Sequence, residues 1–150
     1  LATADAEGRP DCSFKGGAPG FVRVTGPSEI AFPDYDGNGM FKSLGNIVVN
    51  ADVGLLFIAM HDKPKRLRVN GSARVSDSDP LLAETVGAQL IVRVTARAIF
   101  PNCPRYIPTM GSIEPSIYAP AAGQDAPEPA WKGFADFKDC IHPRQPTFRG

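Results

Sequence analysis

The chain has 150 residues, a length typical of one domain with its own hydrophobic core. Its 16 Lys and Arg residues balance its 16 Asp and Glu residues, so its charge gives no reason to expect nucleic acid or an anionic membrane as a partner. Apolar runs such as VGLLFIAM are much shorter than the roughly 20 residues of a transmembrane helix, and a helical membrane protein is therefore not expected.

The first residues and the cysteines bear on the cellular compartment. The chain opens LATADAEG, without the basic and long apolar regions of a secretion signal, and it reads as the inside of a strand, so we expect a segment before Leu1. Cys12, Cys103 and Cys140 are odd in number and widely separated, with no C-x-x-C pair. This pattern is typical of reduced thiols rather than of a disulfide framework, and it predicts a cytoplasmic protein.

Short apolar segments separated by Gly and Pro make up the first 33 residues. The segments are LATAD, DCSFK, FVRVT and EIAFP, with turn-forming stretches such as EGRP and GGAPG between them. This pattern predicts four short strands joined by tight turns.

The next segment, DYDGNG, begins like an EF-hand calcium loop, with oxygen-bearing side chains at alternating positions from Asp34 to Asn38. A calcium loop needs a Glu at its twelfth position, which is Gly45 here, and the ninth position is Lys42, whose charge repels a cation. Calcium is therefore disfavoured. A surface turn is the simplest alternative, because Asp, Asn and Gly tolerate the backbone angles of turns.

A third interpretation of this loop depends on the helix predicted to follow it, from about Met40 to Asn50. Lys42 and Ser43 lie in the first turn of that helix. The exposed backbone N–H groups, the helix dipole, an ammonium group and a hydroxyl group would together suit a phosphate.

Three long segments predict the remaining strands. VGLLFIAM, residues 53–60, predicts a central strand that is buried on both faces. RLRVNGSARV alternates, with Leu67, Val69, Gly71, Ala73 and Val75 on one face and Arg66, Arg68, Asn70, Ser72 and Arg74 on the other. AQLIVRVTARAIF repeats the alternation, with Arg93, Thr95 and Arg97 on the face opposite Val92, Val94, Ala96 and Ala98.

A short helix is predicted between the last two strands, with Asp79 as its cap, Pro80 at its first position and Gly87 as its end. Six or seven antiparallel strands with two short helices predict a mainly β fold, a closed or nearly closed β-barrel without exposed edges. We expect residues 1–150 to form a single domain, in which the Pro-rich segment 101–150 packs on the barrel or on a partner subunit, because residues such as Tyr106 and Trp131 are too apolar for a free tail.

Few side chains offer chemistry by themselves. Cys140 and His142 could form one edge of a zinc site, but no second pair lies near them in the sequence, so no metal is expected. Cys103 follows the last strand, where barrels often place ligand contacts, although a small buried thiol is the simpler interpretation. The arginine-rich strand faces have two interpretations. They are exposed to solvent, or they belong to a site in which Lys15, the Lys42 turn and Arg66 together contact a phosphorylated cofactor.

Five segments in this order, PDCSFKGGAPGFVRV, AFPDYDGNGMFKSLGNI, VGLLFI, RLRVNG and IFPNCPRYI, resemble the FMN-binding split-barrel flavoproteins related to pyridoxamine 5'-phosphate oxidase. The nearest branch is a bacterial group of flavin-nucleotide-binding proteins, and the resemblance covers nearly the whole chain. It implies a six-stranded antiparallel FMN-binding split barrel that forms a homodimer, with two FMN molecules in clefts between the subunits.

The resemblance also implies roles for individual residues. Lys42 and Ser43 correspond to a basic pair that holds the FMN phosphate, although the second cation has become a hydroxyl. Lys15 corresponds to a strand lysine that contacts phosphate and flavin, Arg66 stands where the family has a Gln that reaches the flavin across the dimer, and Asn102 lies near a flavin-contacting aromatic. The complete implied set is Lys15, Asp34, Tyr35, Asn38, Met40, Phe41, Lys42, Ser43, Arg66 and Asn102.

The family resemblance implies an FMN-dependent oxidoreductase that exchanges electrons or hydride with a small-molecule donor or acceptor. The R-x-H-D-R type segment that holds the vitamer in pyridoxamine phosphate oxidases is absent from the chain end DCIHPRQPTFRG, so oxidation of pyridoxamine phosphate is not expected. Two alternatives remain open, a non-catalytic flavin-binding or storage protein and a split barrel that holds deazaflavin or haem. No side chain stands out as a necessary catalytic acid or base.

Overall fold

The computed structural model describes residues 1–61, 63–112, 116–123 and 127–135, and within them it shows a mainly β fold. The strands are β1 (Ala2–Ala4), β2 (Pro10–Cys12), β3 (Arg23–Gly26), β4 (Glu29–Tyr35), β5 (Asp52–Ala59), β6 (Lys65–Ser76) and β7 (Ala88–Pro101). Helix α1 spans Lys42–Val49, and short 3-10 helices span Pro80–Leu82 and Ala130–Gly133. The predicted mainly β split-barrel class is confirmed, with seven strands in the sheet where the resemblance implied six.

The strands form one antiparallel sheet in the order β2-β1-β5-β6-β7-β4-β3. β6 therefore occupies the middle, and β5 is an interior strand between β1 and β6 rather than the central one that we predicted. Helix α1 connects β4 to β5, which lie on opposite sides of the β6 and β7 pair. This connection places the start of α1 at the end of β4. No helix among the described residues is long and apolar enough to span a membrane.

The hydrophobic core lies where α1 packs against one face of the sheet. Its buried side chains are Phe32, Leu44, Ile47, Val53, Leu55, Val69, Ala73, Val92 and Val94. Leu44 and Ile47 are three residues apart and so share one face of α1. An isolated helix of 8 residues is unstable in water, so the burial of this face holds α1 in place. Each fully buried aliphatic side chain of this size contributes about 1.5–3 kcal/mol.

The prediction that β5 is buried on both faces is wrong for this chain. Val53 and Leu55 are 6% and 7% exposed, whereas Leu56 and Ile58 are 48% and 41% exposed. The reason is that α1 and the core cover only one face of the strand. The uncovered face of β5 continues onto β6, because Leu56 pairs with Arg68 and residues paired across strands share a face.

The predicted alternation along β6 holds from Arg68 to Arg74, since Val69 and Ala73 are buried and Arg68 and Arg74 are exposed, whereas Leu67 at the start of the strand is 39% exposed. The alternation along β7 holds as far as a β-bulge. Beyond this bulge, the side chains of β7 lie on the opposite face from the one that strict alternation predicts.

At this bulge, Gly71 pairs with Ala96 but Asn70 pairs with Ala98, so Arg97 is an extra residue on β7. Ala98 consequently lies on the face of Asn70. The prediction that Ala98 shares the face of the buried valines is therefore wrong.

Both predicted helices form, with starts set by local chemistry. α1 begins at Lys42, two residues later than predicted, because Phe41 adopts a left-handed conformation with φ of 49°. The second helix is a 3-10 turn whose cap is Asp79, and Asp79 Oδ1 accepts a hydrogen bond of 3.0 Å from the backbone N–H of Leu81. The prediction that Gly87 ends this helix is wrong, because the helix ends at Leu82 and Gly87, with φ of 77°, lies in the turn before β7.

The described residues beyond β7 run along the sheet from one end to the other. The backbone N–H of Met110 donates to the carbonyl of Met60 at 2.6 Å, beyond the end of β5. Further along, Pro120 packs so closely on Gly87 that a Cβ atom at Gly87 would lie 2.8 Å from Pro120 Cβ. The 3-10 helix Ala130–Gly133 then places Lys132 in a buried position.

Candidate functional site

A cavity of about 280 Å³ opens between the start of α1 and the end of β4. Its walls come from separate parts of the chain: residues 13–16 after β2, residues 33–39 at the end of β4, residues 41–44 at the start of α1, Gln89 on β7, and Trp131 with Lys132. A turn, a helix start and a segment from the C-terminal third thus meet at one place.

The start of α1 carries positive charge, and its own first turn holds no acidic residue that would offset it. Phe41 occupies the cap position with a hydrocarbon side chain, and no acidic residue lies in the first turn of this fully described helix. The first residue of α1 is Lys42, which adds a cation to the positive end of the helix dipole. An anion bound here would satisfy both the free N–H groups of the first turn and the ammonium group.

The loop before α1 is shaped by Asn38, whose side-chain Oδ1 accepts a hydrogen bond of 3.1 Å from the backbone N–H of Met40. This bond uses the acceptor of Asn38, so a contact to an anion would come from its NH₂ group. Phe41 then takes the left-handed conformation, which is unusual for a bulky residue. The loop therefore places Lys42 and the first turn of α1 at the cavity.

Two carboxylates in the cavity have different surroundings. Asp36 accepts hydrogen bonds of 2.7 and 2.5 Å from the ammonium group of Lys132. Burial raises the pKa of the Asp34 carboxyl, an effect that the nearby Lys15 opposes and the charge of Asp36 reinforces. Asp34, which the resemblance placed among the FMN contacts without an acid–base role, is consequently the cavity group that holds a proton more readily than an ordinary Asp.

The remaining walls combine aromatic rings and cations. The aromatic residues are Phe14, Tyr35, Phe41 and Trp131, and the lysines are Lys15, Lys42 and Lys132. Burial raises the pKa of the Tyr35 hydroxyl, partly opposed by the charge of Arg23. Flat aromatic surfaces beside cations suit a planar ring that carries an anionic group.

The structure brings together seven of the ten residues predicted to contact FMN. These are Lys15, Asp34, Tyr35, Asn38, Phe41, Lys42 and Ser43. Met40 lies in the same loop but is 70% exposed and does not line the cavity. The ligand contacts themselves stay predictions.

Arg66 and Asn102 lie at the other end of the sheet, about 40 Å from Gln89 along β7 at the usual rise per residue. They form a cluster of their own, in which the backbone N–H of Asn102 donates to the carbonyl of Arg66 at 3.2 Å and Arg66 Nη2 donates to the carbonyl of Cys103 at 3.1 Å. Arg66 Nε and Asn102 Oδ1 are buried without a hydrogen-bond partner among the described residues. Such groups normally have partners, so this cluster is incomplete as it stands.

Other cations of the strand faces serve the fold. Arg93 donates to Asp79 at 2.5 and 2.9 Å and to Glu29 at 2.7 Å. Arg74 donates to the second oxygen of Glu29 at 3.1 Å, and Arg97 lies 2.9 Å from Asp52. These arginines are therefore engaged in ion pairs away from the cavity.

Of two predictions about other reactive groups, the one for Cys103 is wrong and the one for Cys140 and His142 stays a prediction. Cys103 is exposed and not buried, because β7 ends at Pro101 and leaves Cys103 beyond the sheet. Among the described residues, no group of three or more His, Cys, Asp and Glu side chains could hold a metal ion. Cys140 and His142 lie outside the described residues.

Trp131 and Lys132 are among the cavity residues that the sequence did not assign to the site. They lie in a Pro-rich segment without periodicity, and 96 residues separate Lys132 from Asp36. One signal was available, since Trp131 is the sole tryptophan of the chain.

Comparison with known proteins identifies the sequence family. The sequence model of the family described as Pyridoxamine 5'-phosphate oxidase matches residues 1–114. No curated protein resembles the sequence closely enough to count as a match.

Solved structures share the fold. HupZ of Group A Streptococcus superimposes with a TM-score of 0.53 at 16% identity, over 73% of this chain and 86% of that one, and a single-residue variant of HupZ gives 0.52 at 18%, over 67% and 86%. A candidate pyridoxamine 5'-phosphate oxidase from Lactobacillus delbrueckii gives 0.50 at 24% identity, over 66% and 79%. Identities this low show a common fold and nothing more specific.

Proposed function

Because the chain belongs to the pyridoxamine 5'-phosphate oxidase family, we propose that it is a flavoprotein that binds FMN noncovalently and exchanges electrons or hydride with a small molecule. The observation that carries this proposal is the cavity at the start of α1, where a positive helix end without an acid in its first turn meets aromatic walls. FMN has the two parts that such a cavity suits, a phosphate and a planar ring system.

The phosphate would lie against the first turn of α1. There, Lys42 supplies a cation, the backbone supplies N–H donors, and Ser43 and Asn38 supply neutral donors. The charge of Lys132 is already balanced by Asp36, so Lys42 and Lys15 are the lysines whose charges are available to a ligand. With Lys15 also available, Lys42 and Ser43 could hold the phosphate at the position where the family has two cations.

The flavin ring would occupy the aromatic part of the cavity. Bound FMN supplies the redox chemistry, and the protein supplies position, hydrogen bonds and exclusion of water. Asp34, with its raised pKa, is the carboxyl that we propose holds or releases a proton at its Oδ atoms beside the ring. Haem is less well supported, because Tyr35 is the one cavity residue in the described chain of a type that ligates haem iron.

We further propose that the functional form is a homodimer with the flavin sites between subunits. A cavity of about 280 Å³ lies just below the usual size range of small-molecule sites, as expected for a site that a second surface completes. The uncovered face of β5 and β6 carries Leu56 and Ile58, paired with Arg68 and Arg66. A second copy packed on this face would cover the two apolar side chains and bring Arg66 toward the partner's cavity.

The absorbance spectrum of the purified protein tests the cofactor proposal. We expect flavin bands, released into the supernatant on denaturation, and restored when the apoprotein is mixed with FMN. Reduction of the bound flavin by a nicotinamide donor would establish an oxidoreductase, whereas bound flavin that no donor reduces would identify a flavin-binding protein without turnover. A colourless protein that takes up no FMN would refute the proposal, and a haem spectrum would replace it.

A further inference from the structure

Two Asn-Gly pairs occur in the sequence, Asn38–Gly39 and Asn70–Gly71. In such a pair the backbone nitrogen of the glycine can attack the side-chain amide of the asparagine, because glycine has no Cβ atom to obstruct the approach. The structure places the two pairs in different surroundings. This difference predicts which of them reacts.

The first pair lies in the loop before α1. Asn38 and Gly39 are both exposed to solvent, outside any strand or helix. The backbone N–H of Met40 donates a hydrogen bond of 3.1 Å to Asn38 Oδ1, the oxygen on which negative charge develops during attack at Cγ. Within the described parts of the chain, no group accepts a hydrogen bond from the backbone N–H of Gly39. The attacking nitrogen is therefore free, and the attacked carbonyl is polarised.

The second pair is held inside the sheet. Asn70 and Gly71 lie within β6, which pairs at these positions with β5 on one side and with β7 on the other. Gly71 is also buried. Ring closure between the side chain of Asn70 and the next backbone nitrogen would require the strand to leave its extended conformation and to break its ladder on both sides. This pair should consequently be protected.

From this contrast we propose that Asn38 is a site of spontaneous deamidation, and that the carboxylate formed there weakens binding of the FMN phosphate. The Gly39 nitrogen forms a bond to Cγ of Asn38 while the bond between Cγ and Nδ2 breaks. The Nδ2 group leaves as ammonia, with the proton of the Gly39 N–H. Water then opens the cyclic imide at either carbonyl, which gives aspartate or isoaspartate at position 38. No electrons are transferred, and water is the co-reactant.

The effect on the phosphate rests on the proposed function. Asn38 and Lys42 line the same cavity, and the amide NH₂ of Asn38 is a neutral donor to an anion. A carboxylate at this position accepts hydrogen bonds only, repels a phosphate and competes with it for Lys42 and the positive helix end. A bound phosphate that holds the NH₂ group should in turn slow the reaction. The empty protein should therefore lose its affinity for FMN faster than the loaded protein.

Peptide mapping by mass spectrometry tests the modification on the full chain. The protein is incubated for days at physiological temperature and mildly alkaline pH, with and without FMN. We expect the mass gain of deamidation at Asn38, more slowly when FMN is present, and none at Asn70. Because Asn70–Gly71 is the same dipeptide in the same molecule, it serves as the matched control.

Titration with FMN and riboflavin tests the consequence. Aged protein, and Asn38→Asp made directly, should bind FMN more weakly by about tenfold or more, on the scale of one charge interaction near the protein surface. Riboflavin affinity should not change, because riboflavin has no phosphate. Asn38→Gln closes a larger ring more slowly, so its affinity for FMN should be the same before and after ageing.

The outcomes separate this inference from the proposed function. Equal reaction at both pairs, or none at Asn38, would overturn the modification and leave the flavoprotein proposal intact. Deamidation at Asn38 with undiminished FMN affinity would overturn its effect on the phosphate. Fresh protein that binds neither flavin would overturn the function and this effect together, and the mass change would still decide the modification.

Discussion

The side-chain amide of Asn46 donates a hydrogen bond of 2.9 Å to the hydroxyl of Thr3, and both residues are buried. This bond joins α1 to β1 across 43 positions of sequence. Since the first turn of α1 lines the cavity, the bond contributes, with the buried face of α1, to holding the candidate phosphate site against the sheet.

We expect Asn46→Ala to destabilise the protein by about 1 to 3 kcal/mol, because it leaves the buried hydroxyl of Thr3 without its partner. Chemical denaturation measures the loss. A double variant, Asn46→Leu with Thr3→Val, removes both polar groups and should be more stable than the sum of the single changes predicts. Strict additivity would show that the two groups do not interact.

Lys42→Ala is expected to lower FMN affinity by about 1.5 to 3 kcal/mol, the value of a hydrogen bond assisted by charge. Riboflavin affinity should not change, because riboflavin has no phosphate. Isothermal titration with both ligands makes the comparison, and Lys65→Ala removes an exposed lysine away from the cavity as a control. Equal effects of the two substitutions on FMN would contradict the phosphate assignment.

Stability should fall in acid because of Asp79. Its hydrogen bonds with Arg93 lower the pKa of its carboxyl from the ordinary 3.8 to about 2. The stabilisation is fully present above pH 4 to 5 and is lost as the pH falls toward 2, since the unfolded chain binds the proton first. Glu29 acts in the same direction, because hydrogen bonds from Thr25 and Arg93 lower its pKa as well.

Asp79→Asn tests this dependence. The Asn oxygen can still accept the bond from Leu81, but the charge pair with Arg93 is lost. We expect a loss on the order of 1 to 2 kcal/mol at pH 7 and a shallower decline of stability between pH 4 and 2. Asp77→Asn, at an exposed position nearby, serves as the control. An unchanged acid profile in Asp79→Asn would assign the acid sensitivity to other carboxylates.

The β-bulge depends on a glycine at position 71. A Cβ atom there would lie 2.1 Å from the carbonyl oxygen of Thr95, a backbone atom that cannot move aside alone. Gly71→Ala should therefore cost about 1–3 kcal/mol or more. Gly54→Ala on β5 would meet its nearest neighbour, Asn70 Oδ1, at 3.6 Å, an ordinary contact, and should cost less than about 1 kcal/mol. Similar melting temperatures for the two variants would refute this account.

The homodimer proposal predicts that Ile58→Glu yields monomers, because it places a charge on the face that a second copy would cover. Val24→Glu is the matched control, since Val24 is 80% exposed on β3 at the other side of the sheet. Analytical ultracentrifugation distinguishes the two. If Arg66 and Asn102 reach the partner's cavity, the monomeric Ile58→Glu variant should also bind FMN more weakly than the wild type. A dimer that persists in Ile58→Glu would place the interface elsewhere.

Patterns between near neighbours in sequence were sufficient to predict the strands, α1 and the cap at Asp79. Strand alternation has a period of two, and a cap needs only a few adjacent residues, so both can be recognised without knowing the fold. The exposure of Leu56 and Ile58 could not be recognised in this way. An apolar run shows that two faces prefer burial, but not which neighbours are present to cover them.

The sequence by itself determined a mainly β chain in which Lys42 and Ser43 open a helix after a turn. Only the tertiary structure decided that Lys15, Asp34 and this helix start share a cavity, that Arg66 and Asn102 lie far from it, and that Lys132 pairs with Asp36. Periodicity and capping depend on contacts a few residues apart, whereas these arrangements depend on which distant segments pack together. The same local patterns are compatible with many long-range arrangements, so they cannot specify which distant segments pack together.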